Sequence, residues 1–149
     1  YRVSILHTSP TAIRAQMRAG ERWANGHDLR SLRLLGSVGE AINPAAWHWY
    51  RSNIGGNRCP IVDTWWQTET GATMVSAQSG HAFVPEKAGS ATLPLPGVDL
   101  RVVRPDGSAA APGERGLVVI DRPWPGEFLG LWNDPGRVRS VYFERFPGR

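Results

Sequence analysis

Three apolar runs, Val3 to His7, Leu32 to Val38 and a third beginning at Ile61-Val62, alternate with segments that open on Ser9-Pro10 and Asn43-Pro44. This alternation constrains the fold more than any other feature of the chain. A proline in the first helical position sacrifices nothing, because that amide has no partner inside the helix. The serine or asparagine before it offers a side-chain oxygen to the free amides of the first turn. The first predicted helix carries Ile13 and Met17 on one face and ends at Gly20. The second carries Trp47, Tyr50 and Ile54 and ends at Gly55-Gly56. Glu21 to Arg30 reads as a polar connector between them. Strand, helix, strand, helix, strand predicts an α/β fold of parallel βαβ units over residues 1–75.

After Gly71 the pattern changes. Ser76 to Lys87 has no sustained period and reads as loop, and Gly89 to Gly97 is rich in glycine and proline. Val98 to Arg104 and Gly116 to Ile120 are β-like runs, with the turn signal Pro105-Asp106-Gly107 after the first. A β-rich portion is therefore expected over residues 88–122. Asp134-Pro135 opens a last predicted helix, with Val138, Val141 and Tyr142 on one side. An apolar strand directly at Tyr1 and a helix close to Arg149 suggest part of a larger domain.

Composition narrows the function. The one cysteine, Cys59, permits no internal disulfide and points to the cytoplasm. No apolar run approaches the roughly 18 residues of a membrane span. The net charge of +4 and pI near 10.0 invite a nucleic-acid reading, but only Lys87 of the 17 basic residues is a lysine and the arginines are scattered. Nucleic-acid binding is not expected. His7, His27, His48 and His81 have no ligand spacing with Cys59, so a zinc site is not expected either. No Gly-x-Ser-x-Gly elbow is present.

In open α/β sheets, ligands bind at the carboxyl ends of the strands. Two loops fall there: Gly36 to Ile42 after the second strand, and Asp63 to Gly71 ("DTWWQTETG") after the third. Taken singly, Trp65 and Trp66 read as core aromatics, Glu69 as a solvated carboxylate and Gly36 to Gly39 as a tight turn. Taken together, the loops combine glycines, hydroxyls and two carboxylates, hard oxygen donors suited to phosphate and magnesium. The residues point to a nucleotide or phosphoester with a metal, without specifying the reaction.

"LRLLGSVGEAINPAAWHWY" followed by "CPIVDTWWQTETG" resembles the adenylate-forming enzymes, and among them the AMP-forming acetate–CoA ligases. The resemblance continues through "KAGSATLPLPGVDLRVV" and "PGERGLVVI" to "WNDPGRVRSVYFERF", essentially the whole chain. It implies part of an AMP-binding large domain and a two-step reaction. A short carboxylate such as acetate attacks the α-phosphate of ATP, giving an acyl-adenylate and pyrophosphate, and the coenzyme A thiol then displaces AMP. By motif position, Gly39, Glu40 and Ala41 line the adenine pocket. Asp63, Thr64, Trp65, Trp66, Gln67 and Thr68 run along the nucleotide, with Thr68 near the α-phosphate. Glu69 helps to hold Mg2+. The resemblance assigns Trp66 to the end wall of the acyl pocket, in place of its core-aromatic reading, and leaves the core reading of Trp65 open.

There are departures. The family usually has proline after the Gly-Glu pair, where this chain has Ala41. The phosphate loop, the ribose-binding aspartate and the C-terminal lysine-bearing domain are not within these residues, and Lys87 stands in the wrong context to replace that lysine. The 149 residues alone are therefore expected to be inactive. The alternatives are a ligase for propionate or another short acid, and a non-catalytic remnant or nucleotide- or partner-binding module.

Overall fold

The structure, a computed structural model, describes residues 1–78 and 86–146. Two compact units are distinguished: Tyr1–Gln67 with Thr73–Leu95, and Thr68–Ala72 with the chain from Pro96 onward.

In the first unit the local signals act as expected. Ser9 is extended (φ −95°, ψ 151°) and its Oγ accepts the Ala12 amide at 3.3 Å, starting helix α1, Pro10–Ala19. Gly20, at φ 92°, ends it. Asn43 caps the next long helix in the same way, its Oδ1 accepting the Ala46 amide at 2.8 Å. The polar connector differs from expectation: Arg22–Asn25 forms a short helix, α2. Helix α3, Pro44–Trp49, runs on as a π-helical turn, Tyr50–Ile54.

Strands β1 (Ile5–Thr8), β2 (Leu34–Ser37) and β3 (Ile61–Trp65) are parallel neighbours. The sheet then extends through two antiparallel strands of two residues each, β4 (Val75–Ser76) and β5 (Leu93–Pro94). Ser76 thus lies in a strand where the sequence suggests loop, and Leu93-Pro94 forms a strand within the glycine- and proline-rich stretch. A proline is tolerated in β5 because an edge strand leaves one row of amides unpaired. The predicted loop from 79 to 85, with His81, lies outside the described residues.

Parallel strands this short need a covered face. Leu35, Ile61 and Cys59 pack with Ile42 of the loop after β2 and with Ile13, Ala46, Trp47, Tyr50 and Ile54 of the helical segments, all buried. Tyr50 is fully buried, and its hydroxyl donates to the Leu6 carbonyl at 2.9 Å, tying the π-helical turn to β1. Tyr50→Phe removes that donor and leaves the carbonyl less well satisfied. It is expected to cost about 1–3 kcal/mol in denaturant unfolding. A loss below about 0.5 kcal/mol would show the bond to be dispensable.

In the second unit, β6 (Leu100–Val103) and β7 (Leu117–Ile120) form an antiparallel pair, with Val103 fully buried. The Pro105-Asp106-Gly107 turn is closed by Asp106 Oδ1, which accepts the Ser108 amide at 2.9 Å. The predicted C-terminal helix forms as α4, Pro135–Val138, continued by a π-helical turn, Arg139–Phe143, so it carries Val138, Val141 and Tyr142, with no buried residue in either part.

Candidate active site

The parallel register sets Ser37, the last residue of β2, opposite Asp63, after which β3 continues through Thr64 and Trp65. Thr64 Oγ1 locks the two strand ends together by donating to the Ser37 carbonyl at 2.9 Å. Ser37 is fully buried and Asp63 is 5% exposed. Yet Ser37 Oγ and Asp63 Oδ1 have no hydrogen-bond partner among the described residues. Burial pushes the Asp63 carboxyl above the usual range, against the opposing pull of the Ser37 hydroxyl and the Thr64 amide. The Ser37 hydroxyl is thus near enough to favour the carboxylate, but the two atoms do not meet in hydrogen-bonding geometry.

Buried polar groups are almost always satisfied, so two open ones at the carboxyl edge of a parallel sheet make this edge a candidate binding position. The sign of the Asp63 effect follows from linkage. A carboxyl raised by folding penalises the ionised folded state, so stability falls as pH rises from near 4 through the folded value. Asp63→Asn is expected to raise the unfolding midpoint at neutral pH, with the gain disappearing on acidification through that window. Denaturant melts at several pH values check this. A lower midpoint for Asp63→Asn at neutral pH would mean the carboxylate is structurally needed.

The loop after β2 turns at Gly39, whose φ of 97° is in the left-handed region where a side chain is disfavoured. Glu40 then folds back onto α1. Its Oε1 accepts the Thr11 amide at 2.8 Å and the Thr11 hydroxyl, and its Oε2 pairs with Arg14 at 2.8 Å. The Thr11 hydroxyl and the Arg14 guanidinium hold this carboxyl below its usual range. Ala41 is exposed and Ile42 is buried in the core.

On β3, Trp65 is half-buried and is not among the residues packed into the helical core, which corrects the expectation of a core ring. It shares a sheet face with Ile61 and Asp63 but lies beyond the part the helices cover. Trp66 and Gln67 follow the strand, and Trp66 is 48% exposed. That exposure removes the core-aromatic alternative for Trp66.

Thr68 begins the segment that belongs to the second unit. Thr68–Thr70 form one 3₁₀ turn, and Thr68 is exposed. Glu69 Oε1 accepts the Tyr142 hydroxyl at 2.9 Å, while its backbone carbonyl accepts the Phe128 amide at 3.2 Å. Its own backbone amide and then the Tyr142 hydroxyl lower the Glu69 carboxyl. Tyr142 packs edge-on against Phe128, with ring centroids 5.1 Å apart. Trp124 Nε1 donates to the Thr70 carbonyl at 2.7 Å. Sequence reasoning missed Trp124 and Phe128, and it placed Tyr142 on an apolar helix face. The available signal was the run of aromatics and glycines from Trp124 to Trp132, which has no helical or strand period.

Among the described residues no group of three or more His, Cys, Asp or Glu side chains could hold a metal. Glu69 is a single carboxylate. That suits magnesium, which commonly takes one or two protein carboxylates and completes its shell with water and substrate phosphate.

The chain belongs to the AMP-binding enzyme family, whose model matches residues 1–132. Its relatives include the acetyl-coenzyme A synthetase of Chlorobaculum tepidum, 51% identical over 148 residues, which are 99% of this chain and 22% of that protein. The acetyl-coenzyme A synthetases of Mycolicibacterium smegmatis (50% identical, 98% of this chain and 16% of that protein) and Pyrobaculum aerophilum (48%, 99% and 22%) are similar to nearly the same extent. The chain thus spans about a fifth of the length of these relatives. Among solved structures it is similar to the anthranilate CoA ligase AuaEII in complex with anthranoyl-AMP. The TM-score is 0.76 at 28% identity, covering 92% of this chain and 24% of that one. The α/β fold expected from the sequence is therefore shown, as is membership of the adenylate-forming enzymes. Among the described residues no helix is long and apolar enough to cross a membrane.

Proposed function

We propose that the chain is the central part of a cytoplasmic, AMP-forming acetate–CoA ligase, which converts acetate and ATP to acetyl-adenylate and then transfers the acetyl group to coenzyme A. The observation that carries this reading is the pair of buried, open polar atoms on Ser37 and Asp63, at the edge where the nucleotide loop and the Asp63 to Gly71 motif emerge. In this reading Gly39, Glu40 and Ala41 flank the adenine. Asp63 offers its open carboxylate oxygen to donors on the nucleotide, and Thr64 to Gln67 follow its length. Thr68 presents its hydroxyl to the α-phosphate, and Trp66 bounds the acyl group. Glu69 keeps Oε2 for magnesium while Tyr142 holds Oε1. Bound magnesium would neutralise charge on the phosphates.

None of these residues is a nucleophile. The carboxylate substrate attacks, pyrophosphate leaves, and the protein contributes orientation and charge stabilisation. On its own the chain is not expected to turn over, because the relatives are several times longer.

The test is to exchange the matching 148-residue segment of the Chlorobaculum tepidum relative for this chain. The chimera is expected to catalyse acetate-dependent exchange between ATP and pyrophosphate. A folded chimera that binds ATP but activates propionate in preference to acetate would make it a ligase for a different short acid. One that exchanges with no acid would make this sequence a remnant.

A further inference from the structure

We propose that Thr11 and Arg14, on the first turns of α1, are positioning residues that clamp Glu40 and thereby hold the Gly39-Glu40-Ala41 loop in its binding geometry. The inference rests on the reading of this loop as nucleotide-binding.

The clamp is a closed ring of polar contacts. Thr11 donates to Glu40 Oε1 through both its amide, at 2.8 Å, and its hydroxyl. Arg14 NH2 reaches Glu40 Oε2 and Thr11 Oγ1, each at 2.8 Å. The groups come from segments 26 and 29 residues apart in sequence, so the contact links two elements. An ordinary exposed ion pair does little, because two long side chains must be ordered for a screened attraction. Here the acceptor also satisfies an amide in the first turn of a helix, where backbone amides have no internal partner and a negative charge is favoured. Ser9 accepts the Ala12 amide and Glu40 accepts the Thr11 amide, so the helix start receives two caps from different parts of the chain.

The loop needs such a hold. Gly39 is the residue that turns it, at φ 97°, and the space around its Cβ position is empty to 4 Å. Packing therefore does not fix the turn at Gly39. Ala41 contributes no ring to stiffen the next bond. Val38, bonded to Thr8, and the buried Ile42 hold the two ends of the loop, and between them the carboxylate of Glu40, seated on α1, holds its middle, with α1 itself fixed by the fully buried Ile13.

The experiment is amide NMR relaxation on the 149-residue chain, comparing wild type with Arg14→Met, Glu40→Gln and the double variant. Wild-type order parameters for Gly39 to Ala41 are expected above about 0.8, falling below about 0.6 in either single variant, while those of Leu35 and Ile61 stay unchanged. The double variant should be no more mobile than either single one, since each already opens the ring. Arg14→Lys keeps a charge within reach and should restore most of the order, a rescue that a purely packing role for the arginine would not give. Order parameters that remain above about 0.8 in Arg14→Met and Glu40→Gln would overturn the clamp. AMP is added to the same samples as the separate probe of the nucleotide reading. It should shift the Gly39 to Ala41 resonances of the wild type and do so with at least threefold weaker apparent affinity in the variants. Absent AMP shifts with intact relaxation differences would remove the nucleotide reading and leave the clamp standing as a structural device.

Discussion

Gly71→Ala is expected to destabilise the second unit by about 2–5 kcal/mol. Gly71 has φ 62°, and a Cβ there would come within 2.2 Å of the Gly126 carbonyl oxygen. The obstruction is backbone, so no side-chain rotation relieves it. Left-handed conformation costs a residue with a Cβ about 1–2 kcal/mol, and forced overpacking about 1–3 kcal/mol more. The reciprocal approach is also tight, since a Cβ on Gly126 would meet the Thr70 carbonyl oxygen at 2.9 Å. Around this contact Trp124 bonds the Thr70 carbonyl and Phe128 bonds the Glu69 carbonyl, so displacing the backbone would strain both. Gly97→Ala supplies the control. Its φ is 88° but nothing lies within 4 Å of the Cβ position, so it carries the conformational cost alone. Denaturant unfolding of the two variants separates the contributions. Equal losses would mean that the approach of Gly71 to Gly126 relaxes without cost.

The same comparison explains which parts of the molecule are legible in its sequence. Ser9-Pro10 and Asn43-Pro44 act within one helical turn, so their caps and the helices they start can be read directly. The parallel core strands are legible too, because unbroken apolar runs with helices between them have few other ways to be buried. β4 and β5 are not: two residues give no period, and they exist because β3 and its neighbours offer a sheet edge. The bond from Tyr142 to Glu69 and the clamp from Arg14 to Glu40 are likewise invisible, since each joins segments that only the folded chain brings together. Trp65 misled for a related reason. Its alternation with Ile61 and Asp63 is correct, but how far the helices cover that face is a tertiary matter. Of the candidate site, the sequence offers the two loops, while the open atoms of Ser37 and Asp63 are invisible in it, because an unpaired atom is a property of everything around it.

In the chimera described above, Trp66→Gly is expected to move the preferred acid from acetate toward four or more carbons. The indole is 48% exposed and lies just past the end of β3, so its removal leaves no core cavity. Stability should change by no more than about 0.5–1 kcal/mol, the range of a surface substitution with the added entropy of glycine. In the proposed reading the ring's contribution is exclusion. A rigid indole at the end of an acyl pocket clashes with chains longer than acetate or propionate, and glycine in its place leaves room for several methylenes. One methylene in an apolar pocket discriminates by roughly 1–3 kcal/mol, about 10–200-fold in kcat/KM. The ratio of kcat/KM for butyrate over acetate should therefore rise at least tenfold, with KM for acetate higher because the small acid loses its wall. Trp65→Gly is the comparison. Its ring is half-buried within a strand, so replacement should lower the unfolding midpoint and leave the chain-length preference in place. Measuring kcat/KM across acids of two to five carbons on both variants distinguishes a wall from a strut. A Trp66→Gly chimera that stays folded and keeps its acetate preference would show that another residue closes the pocket, and that Trp66 faces the nucleotide or solvent instead.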